Sequence, residues 1–573
     1  MDSLTQPDGL PVANTIGEAI NHNARNCAHR GFIFQDTRGE ESFLGFDAIA
    51  DRTRQLACAL HRRGWRAGQR AVVIAFTPRS FVLSFLAAIR LGVVPVPLYS
   101  PTQIMNSGLI QRSLAVARAS GANWLVAPQH TLDAIDDSVA HEEGAPQRIS
   151  EESLYETVGE DSVPLDQAGP DDVAYLQFTS GSTEAPRGVM LTHRNLFNNS
   201  IAIKERLQAD PERDRGVSWL PLGHDMGLIG FVIAPIFWGG PTCVLIPTAR
   251  FIRHPNCWMD AIDRHRGSIT FAPPYALNTA SRAARDRHRE QWDLSCLHTL
   301  GIGGEPIQVN HLEQFDKTFG GACGLPPTAI SPAYGLAEAT LAVTIKDHDD
   351  RWRARPVDRV EFQQRRITAP IAGNPEPIVH VSCGTPLHGV DATIVDDHGK
   401  LLGEGQEGEI RVRSNALCQG YATPDGLSTE CFVDDWLITG DRGYLLQGEL
   451  YVTGRTKQLI LIHGVNHYPQ TIEWAVAESL ELPPGTVAAF SRPGSRTEEL
   501  VLALEIRKID PEELTSRVRA VVKNTFALAV ADVIMLNPGN LLRTPSGKLR
   551  RNEMRDHYLQ SGGASIAERV IPS

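Results

Sequence analysis

The sequence lacks closely spaced cysteine pairs and has no excess of positive charge. Its nine cysteines are scattered and none forms a C-x-x-C pair, which argues against structural zinc or a disulfide framework and for reduced thiols in a cytosol. Lysine and arginine number 55 against 67 aspartates and glutamates, so the net charge is −12. This balance does not favour nucleic acid or an anionic membrane as a partner. No secretory signal is apparent, and we expect a cytoplasmic protein.

One uncharged stretch raises the question of a membrane span. Residues 227–247 carry no charged side chain, and about 20 apolar residues are enough to cross a bilayer. Pro235 and the turn Gly239-Gly240-Pro241 interrupt the stretch, and β-branched residues follow, which favours a buried helix, a turn and a buried strand. We therefore predict no integral membrane span.

Length and hydrophobic patterning predict an α/β protein of several layers. The 573 residues are enough for three or four units of about 100–200 residues. Helix and strand patterns alternate over residues 46–98 and again over 109–128, which is typical of β-α-β units in a parallel sheet. Alternating strands at 389–396 and 408–414 predict a small antiparallel, barrel-like sheet, and the chain beyond 457 predicts a further small α/β domain.

The first candidate for chemistry is a loop of small residues between two predicted strands. A strand over 173–178 leads into Thr179, Ser180, Gly181, Ser182 and Thr183. Glycine lets backbone N–H groups converge, and hydroxyls donate without bulk, which suits a polyphosphate. An ordinary Ser/Thr-rich surface turn is the alternative. The loop is not a Walker A motif, because Lys-Ser/Thr does not follow its last glycine, and it lacks the G-x-S-x-G frame of a nucleophile elbow.

Further short motifs follow, and each is weak alone. The pair His224-Asp225 at a predicted strand end is open to interpretation as a catalytic dyad, a metal ligand or a satisfied polar cap. The others combine glycine turns with aromatic, acidic or basic residues: Gly303-Gly304-Glu305-Pro306, Tyr334-Gly335-Leu336-Ala337-Glu338, Thr439-Gly440-Asp441, Gly454-Arg455-Thr456-Lys457 and Ser546-Gly547-Lys548. Packing at strand ends, a turn aspartate and a solvated basic tail are the ordinary alternatives.

In their order along the chain, these motifs resemble those of the acyl-adenylate-forming superfamily, and among its members the fatty acyl-AMP ligases. The resemblance is carried by the loop at 175–190, Trp219-Leu220-Pro221 with His224-Asp225-Met226-Gly227-Leu228, the tyrosine motif at 333–340, and Asn466-His467-Tyr468-Pro469. Two positions depart from the family pattern. Arg187 replaces the usual lysine, which keeps the charge but not the geometry, and Gln458 stands where aspartate is more usual.

The resemblance implies an ATP-dependent ligase. Such an enzyme joins a medium- or long-chain fatty acid to AMP, releases pyrophosphate, and passes the acyl group to the phosphopantetheine thiol of an acyl carrier protein, often of a polyketide or peptide synthetase. It implies Lys548 as the catalytic lysine and His224 in the passage between nucleotide and acyl chain, with no general-base role. Glu338 would bind Mg²⁺ and Lys457 would be the hinge. The implied nucleotide contacts are Thr179 to Thr183, Gly303, Gly304, Glu305, Tyr334, Gly335, Leu336, Asp441 and Arg455.

The resemblance also implies two domains, a large one over 1–456 and a small mobile one over 457–573 that swings Lys548, exposed on a glycine turn, into the site. We interpret residues 346–378 as a family insertion. Apolar residues such as Trp352 and Phe362, and several arginines, predict that it docks on the small domain and disfavours transfer to free CoA. An acyl-CoA synthetase is the alternative function. A nucleotide-binding regulator would lack a working lysine, and Lys548 argues against it.

Overall fold

The computed structural model covers most of the chain. It describes residues 13–75, 77–99, 107–135, 146–155, 163–179, 187–423, 426–463, 465–483, 485–495, 497–506, 510–544 and 547–561. Its largest element is a nine-stranded mixed sheet, and a smaller α/β unit follows at the carboxyl end of the chain. This arrangement confirms the predicted fold class.

The first part of the chain forms a parallel sheet and one edge of the nine-stranded sheet. Its elements are α1 (Ile16–Asn26), β1 (Gly31–Gln35), β2 (Glu41–Gly45), α2 (Phe46–Arg62), β3 (Arg70–Ala75), α3 (Pro78–Arg90), β4 (Val94–Tyr99), α4 (Ser107–Ser120), β5 (Trp124–Ala127), α5 (Gln129–Ala134), β6 (Gln147–Ser150) and α6 (Glu151–Tyr155). The order β4-β3-β5-β6 is parallel throughout. The predicted β-α-β pattern is therefore confirmed.

The middle of the chain builds the centre of the nine-stranded sheet. Its elements are β7 (Val173–Thr179), β8 (Arg187–Thr192), α7 (His193–Leu207), β9 (Arg215–Ser218), α8 (Asp225–Leu228), a π-helix (Ile229–Ile233), α9 (Ala234–Phe237), β10 (Thr242–Leu245), α10 (Thr248–Arg253), α11 (Cys257–His265), β11 (Ile269–Ala272), α12 (Pro274–Ala283), α13 (Asp286–Arg289), β12 (Thr299–Ile302), α14 (Val309–Cys323), β13 (Ile330–Tyr334), a 3₁₀ turn (Ala337–Ala339) and β14 (Thr344–Ile345). Strands β1, β10, β9, β11, β12 and β13 are neighbours in parallel. Their carboxyl ends consequently share one edge.

The uncharged stretch at 227–247 folds as predicted into buried helix, turn and strand. It contains the end of α8, the π-helix, α9 and β10, and most of its side chains are buried. The π-helical turn was not foreseen, because hydrophobic periodicity does not distinguish it from an α-helix. Across the described part of the chain, no helix combines the length and the apolar composition needed to cross a membrane.

The next region forms a small antiparallel sheet and a pair of short strands, of which β15 lies within the predicted insertion and β16 begins at its last residue. Its elements are β15 (Ala354–Val357), α15 (Arg359–Gln363), β16 (Ile378–Val381), β17 (Thr385–Pro386), β18 (Val390–Val395), β19 (Gly408–Ser414), β20 (Tyr421–Thr423), β21 (Gly426–Ser428), β22 (Phe432–Val433), β23 (Trp436–Leu446) and β24 (Glu449–Arg455). The order is β18-β19-β23-β22, with β24 also on β23. Strand β20 instead pairs with β8 and so brings this region against the middle of the chain.

The last region has its own sheet and apolar core. Its elements are a 3₁₀ turn (Thr456–Gln458), β25 (Ile460–Ile462), β26 (Val465–His467), α16 (Pro469–Ser479), β27 (Val487–Pro493), β28 (Glu498–Glu505), α17 (Pro511–Phe526), β29 (Val530–Leu536) and α18 (Arg551–Gln560). Helix α17 begins after Asp510, whose carboxylate accepts hydrogen bonds from Glu512 and Glu513 N–H, an N-cap that satisfies otherwise unpaired donors. Ile472, Leu502 and other residues of these elements form a separate buried cluster.

Candidate active site

Three of the predicted motifs meet at the carboxyl edge of the nine-stranded sheet. Strands β9, β12 and β13 lie in its parallel part, and the sequences 219–228, 303–306 and 335–338 follow them directly. The glycines allow the loops to pack closely. A Cβ at Gly335 would lie 1.8 Å from the carbonyl oxygen of Leu341, so no other residue fits there without movement of the backbone. The structure thus brings together motifs that are far apart in sequence.

The predicted phosphate loop joins two antiparallel strands. Thr179 at the end of β7 lies opposite Arg187 at the start of β8, which confirms the predicted hairpin. Ser180, Gly181, Ser182 and Thr183 lie outside the described residues. Arg187 pairs with Glu430, and its guanidinium carbon lies 5.5 Å from the centre of the Tyr421 ring. The arginine that replaces the family's usual lysine is therefore held at the mouth of this loop.

His224 and Asp225 form a close pair at the start of α8. His224 Nδ1 lies 2.5 Å from Asp225 Oδ1, and Asp225 Oδ1 also accepts a hydrogen bond of 2.7 Å from Met226 N–H. Burial opposes ionisation of Asp225, but the charges of His224 and Lys548 outweigh it and lower the pKa of this carboxyl. Asp225 is therefore an anion in the crevice along the carboxyl edge of the nine-stranded sheet, and His224 is its direct neighbour.

Tyr334, Asp441 and Arg455 form one hydrogen-bonded group. The Tyr334 hydroxyl donates to Asp441 Oδ2 over 2.8 Å, and Arg455 Nε donates to Asp441 Oδ1 over 2.9 Å. Each carboxylate oxygen keeps a second lone pair for a further donor. Three residues from separate motifs are thus placed together, and Asp441 can still accept hydrogen bonds from a vicinal diol.

Glu338 is half-buried and is oriented by a residue that no motif indicated. The Tyr421 hydroxyl donates to Glu338 Oε1 over 2.7 Å. Burial raises the pKa of Glu338, and the hydrogen bond from Tyr421 only partly offsets this effect. Within the described residues, no group of three or more histidine, cysteine, aspartate or glutamate side chains is arranged to hold a metal ion. Glu338 is one carboxylate that could act as a ligand for a cation here.

The sequence predicts Lys548 on an exposed turn, and this expectation is wrong. In the structure the lysine is half-buried in the crevice. The turn is closed by hydrogen bonds from Thr544 N–H to Lys548 C=O, 2.8 Å, and from Lys548 N–H to Thr544 Oγ1, 3.1 Å. A Cβ at Gly304 would lie 3.7 Å from Lys548 Nζ. The lysine therefore reaches the glycine turn that follows β12, because the small α/β unit is already packed over the edge of the large sheet.

Lys548 and Glu305 influence each other's ionisation at this contact. Burial lowers the pKa of the Lys548 ammonium, although the carboxylates of Glu305 and Asp225 act in the opposite direction. Burial likewise raises the pKa of Glu305 despite the positive charges of Lys548 and Arg551. Burial weakens both charges, and each group is the other's strongest charged partner. The crevice therefore combines the Lys548 ammonium with the nearby carboxylates of Glu305 and Asp225.

The segment predicted as an insertion does contact the small α/β unit. The Phe362 ring stacks on Tyr468 with 5.2 Å between ring centres, and the Arg359 guanidinium lies 5.0 Å from the centre of the Phe526 ring. The ion pairs of the segment instead point elsewhere: Arg353 pairs with Glu449, and Arg365 with Asp397. The Phe362 contact supports the predicted docking, whereas Trp352 packs against the main apolar core and these arginines anchor the segment to the antiparallel sheet.

Tyr468 also joins a buried ion pair. Glu407 receives two hydrogen bonds from Arg442, 2.9 and 3.0 Å, and one from the Tyr468 hydroxyl, 2.7 Å. Glu407 and Arg442 are almost fully buried. Sequence reasoning missed Glu407, Arg442 and Tyr421, because each gains its partner only through long-range packing. Lys457, the predicted hinge, is exposed in the 3₁₀ turn between β24 and β25.

The family profile and the relatives that resemble this chain indicate the same protein family. The profile of the AMP-binding enzymes matches residues 20–422. A protein of Caulobacter vibrioides named as an acyl-CoA synthetase is 32% identical, with 95% of each chain covered. A medium-chain fatty-acid–[acyl-carrier-protein] ligase of Moorena producens is 30% identical, with 96% of each chain covered.

A solved structure extends the similarity to the whole fold. It comes from work on the fatty acyl-adenylate ligases of E. coli and L. pneumophila, and it superimposes with a TM-score of 0.88 at 31% identity. The alignment covers 97% of this chain and 100% of that one. The likeness therefore includes the small carboxyl-terminal unit that carries Lys548.

Proposed function

Since the chain belongs to the AMP-binding enzyme family, we propose that it activates a medium- or long-chain fatty acid with ATP. The acyl carboxylate attacks the α-phosphorus, the bond to the leaving pyrophosphate breaks, and an acyl-adenylate forms. The acyl group then passes to the phosphopantetheine thiol of an acyl carrier protein, and AMP leaves. Relatives named for fatty-acid ligation to a carrier protein and for fatty acyl-adenylate ligation support this proposal.

The observation that carries the proposal is the position of Lys548. It lies beside Gly304, with Glu305 and Asp225 as its charged partners. Adenylation brings two anions together, so catalysis depends on positioning and on screening of charge. A cation at this point can bridge the acyl carboxylate and the α-phosphate.

The nucleotide would lie along the same edge of the sheet. We assign its phosphates to the loop Thr179, Ser180, Gly181, Ser182 and Thr183, its adenine to Gly303-Gly304-Glu305 and Tyr334-Gly335-Leu336, and its ribose to Asp441 and Arg455. The remaining lone pairs of the Asp441 carboxylate support the ribose assignment. His224 would line the passage from the nucleotide to the acyl chain. Its 2.5 Å contact with Asp225 fixes its orientation.

Glu338 fits a magnesium ion that arrives with ATP. Mg²⁺ is commonly bound by one or two carboxylates together with substrate phosphates, and Glu338 offers one carboxylate that Tyr421 orients. When bound, the ion neutralises charge on the departing pyrophosphate. Glu338 and Tyr421 would contribute by holding a fixed oxygen ligand at the edge of the phosphate loop.

The choice of acceptor would depend on the small domain. We assign the large domain to 1–456 and the small one to 457–573, with Lys457 as the hinge. Contact of Phe362 with Tyr468 supports a role of the segment 346–378 in restraining rotation. An acyl-CoA synthetase is the second candidate, because one relative with 95% of its length aligned bears that name. The nine cysteines all lie among the described residues and none of them forms a disulfide there, as would suit a cytoplasmic enzyme.

The test is a two-step incubation. The purified protein is mixed with a panel of fatty acids and Mg-ATP, and then with CoA or with a holo acyl carrier protein. Products are identified by mass. We expect acyl-AMP in the first step and acylated carrier protein in the second. Efficient acyl-CoA formation would favour the second candidate, and the absence of any acyl-AMP would contradict the proposal.

A further inference from the structure

The turn that contains the proposed hinge is linked by one side chain to the segment that carries Lys548. Gln458 is half-buried at the end of this turn, next to the exposed Lys457. Its Oε1 accepts a hydrogen bond of 3.2 Å from Arg551 Nη1 and one of 3.3 Å from Gln470 Nε2. A single amide oxygen thus connects the turn with the start of α18 and with α16.

Arg551 is a rigid partner for this amide. Its Nε and Nη2 donate to the two oxygens of Glu473 over 2.6 and 2.7 Å, and Glu473 Oε1 also accepts from Ala489 N–H over 2.9 Å. Burial alone would lower the pKa of Arg551, but the Glu473 carboxylate raises it above its ordinary value. The guanidinium therefore stays charged and fixed on one side, while Nη1 reaches the turn.

Arg551 in turn sets the base of the loop that presents Lys548. It is the first residue of α18, three positions after the lysine. Arg550 N–H donates to Leu542 C=O over 2.9 Å, and Arg543 and Leu549 pair as an isolated β-bridge. The two arms of the loop are thus joined close to Arg551. A displacement of Arg551 would be passed to the lysine by a short, hydrogen-bonded segment.

We infer that Gln458 is a positioning residue for adenylation, acting through Arg551 on the place of Lys548 Nζ. The inference rests on the proposed function. Gln458 touches no reacting group. It ties the first residues after the hinge to the lysine segment, so that a rotation at Lys457 moves Lys548 as part of one rigid body. Misplacement of a catalytic group by about 1 Å can cost about 100-fold in rate, so a loosened link lowers adenylation without weakening substrate binding.

The test compares variants at Gln458. Gln458→Leu removes the hydrogen-bond acceptor and keeps a similar side-chain volume. We expect kcat for adenylation to fall about tenfold, because one charge-assisted hydrogen bond is lost. KM for ATP and for the fatty acid should stay unchanged. Transfer from added acyl-adenylate to the thiol does not use Lys548 and should also be unchanged.

Gln458→Glu keeps an acceptor for both donors and should restore the rate. Gln470→Leu, the matched control, removes only the second bond and should behave as wild type.

A double variant shows whether Gln458 acts through the lysine. In a Lys548→Ala background, Gln458→Leu should cause no further loss, because coupled residues are not additive. An adenylation rate unchanged by Gln458→Leu would overturn the inference. An equal loss in both half-reactions, or a further tenfold loss in the Lys548→Ala background, would also overturn it. If wild type forms no acyl-AMP, the proposed function itself fails, which is a separate result.

Discussion

Phe362→Ala tests one of the two ring contacts by which we propose that the segment 346–378 restrains the small domain, the stacking of Phe362 on Tyr468. The Phe362 side chain is 4% exposed. Its ring stacks on Tyr468 with an interplanar angle of 29°, and it meets His380 edge-on with ring centres 4.9 Å apart. Only the first of these contacts joins the segment to the small domain. The second lies within the large one.

The expected effect of Phe362→Ala on acyl-CoA formation follows from the contact with Tyr468 alone. Deleting a buried phenylalanine ring costs about 3–5 kcal/mol in all, but only the aromatic pair with Tyr468, about 0.5–1.5 kcal/mol, bears on domain orientation. The hydrogen bond from Tyr468 to Glu407 remains. A change of about 1 kcal/mol shifts a two-state equilibrium about fivefold. We therefore expect acyl-CoA formation to rise about fivefold relative to adenylation.

The assay measures adenylation, transfer to CoA and transfer to a holo carrier protein with the same protein preparation. Val360→Ala, in the same short helix, is the matched control and should leave the ratio unchanged. Replacement of residues 346–378 by a Gly/Ser linker should raise acyl-CoA formation further. If Phe362→Ala keeps adenylation and CoA is still refused, the segment does not select the acceptor, and the channel to the site excludes CoA by itself.

Three further variants test separate parts of the structure. Lys457→Pro should spare adenylation more than transfer, measured as separate half-reactions, because fixing φ near −65° hinders rotation at a hinge; equal losses would remove the support for a hinge. Glu407→Gln should lower the free energy of unfolding in urea by about 3 kcal/mol, because it leaves Arg442 buried without its main counter-charge; a change below about 1 kcal/mol would contradict this. Burial lowers the pKa of His380 from 6.5 to about 4. As the pH falls from 6.5 towards 4, the unfolded state therefore binds a proton that the folded state does not, and the folding stability decreases over this range. In His380→Phe, Tm should fall less steeply between pH 6.5 and 4 than in wild type. The same dependence of Tm on pH in both proteins would refute this assignment.

Local patterns predicted most elements because burial and periodicity act over a few neighbouring residues. The strand predicted at 173–178 is Val173–Thr179, and the helix predicted from Phe46 is Phe46–Arg62. Glycines with left-handed φ mark the ends as expected; Gly64 has φ of +95°. Three of the motif loops lie together in the structure because the parallel strands β9, β12 and β13 bring their carboxyl ends to one edge.

The missing parts of the site depend on contacts that sequence spacing does not encode. Tyr421 reaches Glu338 across 83 positions, and Tyr468 reaches Glu407 across 61. Lys548 was expected on an exposed turn because its neighbours are polar and basic. In the structure it is half-buried beside Gly304, and this long-range contact is not revealed by the local sequence. Arg187 and Gln458 were noticed as departures from the family, but their partners became visible only in the folded chain.

The most direct test of the account is acyl-adenylate formation by wild type and by Lys548→Ala, without any thiol acceptor. Pyrophosphate release and acyl-AMP mass are followed with one fatty acid and Mg-ATP, while ATP binding is measured separately. We predict acyl-AMP from wild type and a loss of adenylation of about 3–4 kcal/mol in transition-state stabilisation for the variant, with ATP binding retained. Pyrophosphate release by Lys548→Ala at the wild-type rate would contradict the central role of this lysine.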